Sequence, residues 1–166
     1  MSTSVRIACA FALALFLASC AEQQPLLRSA GAHRVHNVRT TAYSRGEDGG
    51  RKNAVGEYLS GRNVMSAASD WSRFPLGTRF KIVGTNDEYI IDDYGTALVG
   101  TNTIDLYKTS RLEMKRWGVR RVDIDVLQWG SRDQSLKVLA PRKKHAIVRR
   151  MMAALNKKSA SWPAVD

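Results

Sequence analysis

Four aspartates stand where this chain could do proton chemistry. Asp92, Asp93 and Asp105 fall within "IIDDYGTALVGTNTIDLY", Ile90 to Tyr107, among isoleucine, leucine, valine and tyrosine residues with the composition of buried strands. A carboxylate is costly to bury unless it is paired or neutralised. Desolvation and a second carboxylate nearby both push such a group toward its protonated form, and an acid held that way donates a proton to a leaving oxygen near neutral pH. Strand alternation sets Asp92 and Asp93 on opposite faces. Asp70, in the turn "SDWSRFPLGT", is a hydrogen-bond acceptor before Pro75. His33, His36 and His145 have no third histidine or carboxylate at ligand spacing, so neither a metal nor another cofactor is expected.

The elements around these residues follow from local pattern. "RVHNVRTTAYS" is rich in β-branched residues and makes a first strand ending at Tyr43 and Ser44. Arg45 to Glu57 is a long, charged, glycine-rich loop. "NVMSAA" is a second strand, and "RFKIVG" and "EYIID" form a hairpin split at Asn86 and Asp87. Short extended pieces punctuated by Gly95 and Gly100 lead to Tyr107. Ser110 with Glu113 is a capping box, and Gly118 a C-cap, for a short helix. In "VRRVDIDVLQWG", Val122, Ile124 and Val126 alternate with Asp123 and Asp125, the period of a half-buried strand. Strands interrupted by a single helix favour a mainly β fold closed into a small barrel.

The flanks have a different character. Residues 1–19 have Arg6, then an apolar run to Leu17, and read as a secretory signal too short to span a membrane well. "LASC" resembles the bacterial lipobox, which implies lipidation of Cys20 and a membrane anchor. With Cys9 removed and Cys20 acylated, no thiol is left for a disulfide or a nucleophile. Ala21, by resemblance to Gram-negative lipoproteins, favours the periplasmic face of the outer membrane. Residues 20–34 form a tether and 35–130 the barrel. Residues 131–166 form a basic tail in which Ile147, Val148, Met151, Met152 and Leu155 recur at helical spacing. That helix either caps the barrel or lies on an anionic surface, and Arg142, Lys143, Lys144, Arg149 and Arg150 make its solvated face. The formal charge of +11 would suit nucleic acid, but an exported protein does not meet it. Anionic envelope polymers are the expected partners of the tail.

"TAYS" (Thr41 to Ser44), "AASDWSRFPLGT" (Ala67 to Thr78), "DYGTALVG" (Asp93 to Gly100) and "IDLY" (Ile104 to Tyr107), in this order, resemble the 3D domain, named for three aspartates. The resemblance runs from about Val38 to Trp129. It implies a six-stranded double-psi β-barrel, as in membrane-bound lytic transglycosylases, with Asp70, Asp93 and Asp105 as the aspartates. Asp105 then falls on the catalytic acid, with Asp93 beside it. The implied activity is cleavage of the MurNAc–GlcNAc bond of peptidoglycan to a 1,6-anhydro product. Tyr43 and Tyr94 become candidates for stacking on sugar faces and Asp70 a further substrate contact, although Tyr94 stands where the family has a small residue. The alternative is a lipoprotein that binds peptidoglycan without cutting it. "IIDDYGT" also resembles the Asp-Thr/Ser-Gly signature of aspartic proteases, with Tyr94 where that signature needs a hydroxyl.

Overall fold

A computed structural model describes residues 32–45 and 50–157. The signal, Cys20 and most of the tether lie outside the described residues. Six strands close into a barrel: β1 (His33–Ser44), β2 (Val64–Ala68), β3 (Arg79–Ile82), β4 (Glu88–Asp93), β5 (Thr103–Lys108) and β6 (Arg120–Gln128). Their order around the ring is β1-β5-β2-β4-β3-β6. The sheet is mixed, with β1 parallel to β5 and β2 parallel to β4, while the other neighbours are antiparallel. This is the mainly β, six-stranded closed barrel that the resemblance implied.

Alternation explains the core. Tyr89 and Ile91 of β4, Ile104 and Leu106 of β5, and Ile124 and Val126 of β6 are buried and pack with Phe80 and Ile82 of β3. On the other face of β6, Asp125 takes a bidentate ion pair from Arg34, at 2.8 Å to each oxygen. Asp123 accepts from the Asn37 amide at 2.9 Å and meets His36 Nδ1 at 2.8 Å. The expected hairpin forms: Phe80 faces Tyr89 across β3 and β4. The short helix, α1 (Arg111–Trp117), carries its capping box at Ser110 and Glu113 and ends at Gly118, whose φ of 62° favours glycine.

Two local expectations need correction. Thr96–Leu98, read as extended, is a turn of 3-10 helix in which the Leu98 amide donates to the Gly95 carbonyl. The basic tail is not one helix but two: α2 (Arg132–Leu139) and α3 (Ala146–Lys157), separated by a 3-10 turn at Ala140–Arg142. Pro141 lacks the N–H that would carry α2 onward. Leu139, Val148, Met151 and Leu155 are fully or almost fully buried in the same cluster as the strand residues, so helices and barrel share one core. The basic residues Lys143, Lys144, Arg149 and Arg150 remain exposed.

Candidate functional site

Pairing across three strands gathers the acidic residues. Ala68 at the end of β2 is the register partner of Asp93 on β4 and also of Asp105 on β5. Two strand spacings therefore separate the two aspartates, roughly 10 Å between backbones. On the far side of β5, Thr41 of β1 is the partner of Asp105, and its hydroxyl donates to Asp105 Oδ1 at 2.6 Å. Asp105 is half-buried.

A bulge decides what Asp92 does. Ala67 pairs with Ile91 but Ala68 pairs with Asp93, so Asp92 is an extra residue in β4, and bulges of this kind re-aim side chains. The simple alternation expected of the two neighbouring aspartates is interrupted there. Asp92 Oδ2 accepts from Ser66 Oγ at 2.6 Å and Asn53 Nδ2 at 3.0 Å, while Oδ1 is buried with no partner among the described residues. Burial raises the Asp92 pKa against the pull of these donors.

Asp93 is the carboxyl with the larger resolved change. Burial, reinforced by the charge of Asp92, pushes it up to about 6, against the backbone amides of Tyr94 and Ala54 and the guanidinium of Arg142. The Tyr94 amide donates to Asp93 Oδ1 at 2.9 Å.

Tyr43 connects the cluster. Its hydroxyl is buried without a hydrogen-bond partner among the described residues. Burial first, and then the charges of Asp93, Asp92 and Asp105, drive its pKa far up, so all three carboxylates lie near one neutral phenol. Its ring packs on Tyr107 with centroids 5.5 Å apart. Tyr94 sits apart, edge-on to Trp71 at 5.2 Å and packed against the core.

Asp70 lies elsewhere and is only 2% exposed. Its Oδ1 accepts from the Ser72 amide at 2.8 Å and its Oδ2 from the Gly100 amide at 2.7 Å. It brackets the turn after β2 to the loop before β5, the acceptor role read from the turn, and both carboxylate oxygens already have amide donors.

Sequence reasoning missed several neighbours. Asn53 comes from the long loop and also accepts from the Val55 and Glu57 amides. Arg142, read as part of a solvated face, instead donates to the Ala54 carbonyl at 2.7 Å and the Val138 carbonyl at 2.9 Å, beside Asp93. No local signal marks either contact, because each joins residues far apart in the chain. Among the described residues, no group of three or more histidines, cysteines and acids could hold a metal.

The aspartate-bearing strands and the loops between them fall in one stretch of sequence. Residues 65–128 match the family model of the 3D domain. That segment runs from the second residue of β2 to the end of β6, with Asp70, Asp92, Asp93 and Asp105, whereas β1 with Thr41 and Tyr43 precedes it. No curated protein matches the chain. Among solved structures it is similar to the crystal structure of MltA from E. coli, at 25% identity and a TM-score of 0.36, over 48% of this chain and 28% of that one. The likeness thus spans less than a third of the MltA chain.

Proposed function

We propose that the chain acts on peptidoglycan in the manner of a lytic transglycosylase, cleaving the MurNAc–GlcNAc bond with Asp105 as acid and then base. The observation that carries this reading is the shared register of Asp93 and Asp105 about Ala68, with the Tyr43 hydroxyl close to both. The 3D match over residues 65–128 supports the assignment of the substrate class.

In the proposed reaction Asp105 gives its proton to the glycosidic oxygen as the bond from that oxygen to the anomeric carbon breaks. The C6 hydroxyl of the same MurNAc attacks the anomeric carbon, and its proton returns to Asp105. No water is consumed, so no second carboxylate is needed to activate one, unlike in ordinary glycoside hydrolysis. An intramolecular nucleophile is already near its target, which lowers the entropic barrier. Asp93, with its raised pKa, is partly protonated near pH 6 and so lessens the negative charge near Asp105 there, while the neutral Tyr43, its hydroxyl buried, backs the carboxylates without adding charge. A lipid anchor at Cys20 on the inner face of the outer membrane would hold the domain against its polymeric substrate.

The test is digestion of purified sacculi by the full-length chain, with mass spectrometry of the soluble products. Release of 1,6-anhydro muropeptides by the wild type and not by Asp105→Asn is the expected result. Retention on sacculi with no release by either protein overturns the enzymatic reading and leaves a tethered binding module.

A further inference from the structure

A second site lies beside the carboxylates and has the opposite charge. A cavity of about 340 Å³ is lined by Met65, Tyr107, Lys108, Arg116, Trp117 and Arg120, within the size range of small-molecule sites. It shares Gly61 and Thr109 with a neighbouring depression that adds Arg45 and Arg62. Lys108 is the central cation. Its ammonium donates to the Tyr89 hydroxyl at 2.6 Å and lies 5.3 Å from the Tyr89 ring centroid and 4.8 Å from that of Trp117. The Arg120 guanidinium lies 4.5 Å from the same Trp117 ring.

These cations are not paired directly. Among the described residues no carboxylate comes within ion-pair distance of Lys108, Arg116 or Arg120. Asp87 and Glu113 also line the cavity, but the Glu113 carboxylate is occupied by Thr109 and the Ser110 amide in the capping box. Burial, and to a lesser degree Arg120, lowers the Lys108 pKa, while Asp87 and Glu113 oppose that. A bound anion would relieve both the desolvation of Lys108 and its repulsion from Arg120, because charge-assisted hydrogen bonds are strong where water is excluded. The Trp117 ring and Met65 supply apolar surface next to the cations, which suits an anion with a carbon body better than a bare inorganic ion.

We infer that this groove binds the carboxylates of a short acidic peptide. Its position deepens the proposed function and rests on it only for where the peptide comes from. Tyr107 lines the groove, packs on Tyr43 of the carboxylate cluster, and accepts from Arg45 Nε at 2.8 Å. Tyr107 is fully buried, so it forms a wall shared by the two sites, and a glycan lying over Asp93 and Asp105 would direct the peptide it carries around that wall into the basic groove. The two sites would read the neutral sugar and the acidic peptide of one polymer separately.

The test uses no glycan, so it is independent of sacculus digestion. Fluorescence anisotropy compares a labelled acidic tripeptide with its fully amidated counterpart on the full-length chain, and sodium tripolyphosphate serves as an inorganic competitor. The free-carboxylate peptide is expected to bind about tenfold or more tightly than the amidated one, and Lys108→Met is expected to abolish that difference. The exposed double variant Arg62→Gln/Arg116→Gln should also weaken binding, and it decides the matter alone if Lys108→Met fails to show the wild-type circular dichroism. Equal binding of both peptides, unchanged binding in the folded variants, or binding of tripolyphosphate without the peptide overturns the inference. Peptide binding with inert sacculi would sink only the enzymatic reading.

Discussion

Two acidic pairs on two strands of the same barrel meet opposite fates. On β6, Asp123 and Asp125 face β1, where Arg34, His36 and the Asn37 amide supply positive charge and donors. The Asn37 amide, and then the contact with His36, hold Asp123 below its ordinary value. On β4, Asp92 and Asp93 meet a serine hydroxyl, an asparagine amide, backbone N–H groups and each other. No described cation forms an ion pair with them, and both are raised. The flanking residues are similarly apolar in the two strands. What differs is whether the neighbouring strand brings a cation, so strand pairing, and not local composition, separates a clamp from a site that can hold a proton.

The sharpest way to test that contrast is to remove one carboxylate from each side. If the proposed chemistry holds, Asp105→Asn lowers the rate of muropeptide release by about 100-fold or more, while Asp125→Asn leaves the rate near wild type and lowers the melting temperature. Equal rate losses in the two variants would erase the distinction.

Stability against pH should then divide the pairs by sign. The folded value of Asp93, about 6, lies above the ordinary 3.8, so the folded protein binds this proton more readily than the unfolded chain. Its contribution to stability therefore falls as pH rises from the unfolded to the folded value. Asp93→Asn is expected to stabilise the protein by about 2 kcal/mol at pH 7 and to bring no gain at pH 4, as read from urea denaturation at both pH values. A smaller effect of opposite sign is expected at Asp123, whose folded value is depressed. Its contribution is present above the unfolded value and disappears as pH falls through the folded one. Asp123→Asn should thus destabilise the protein at pH 7 and become neutral in acid, measured by the same method.

The smallest change expected is at Thr41→Val, which deletes the hydroxyl that donates to Asp105. Losing a donor to the ionised form favours the protonated form. The alkaline limb of the pH–rate profile, where the acid loses its proton, should move to higher pH, with a stability cost of about 0.5 kcal/mol. An unmoved profile would mean that this hydrogen bond does not tune Asp105.

Local pattern made much of the scaffold legible. Val122, Ile124 and Val126 announced β6, Asn86 and Asp87 the turn of the β3–β4 hairpin, and Ser110 with Glu113 the start of α1. Each is a feature of a few adjacent residues. The site is not. That Ala68 lies between Asp93 and Asp105 depends on β2 entering between β4 and β5, and periodicity within a strand carries no information about its neighbours. The bulge at Asp92 likewise exists only relative to β2. Asn53 and Arg142 reach the cluster from 39 residues before Asp92 and 88 residues after Ala54, respectively. Pro141 could have divided the tail into two helices from sequence alone, but the spacing of Ile147 to Leu155 drew attention to only the second of them.

The shared core has a consequence for when the protein can be assembled. β1 acquires both its neighbours only after β5 and β6 exist, and the cluster is complete only with Leu155 in position. Long-range pairings of this kind form slowly, since much chain must be ordered before any contact rewards it. A nascent chain whose last turns are still held in the ribosome therefore lacks part of the core against which its barrel closes.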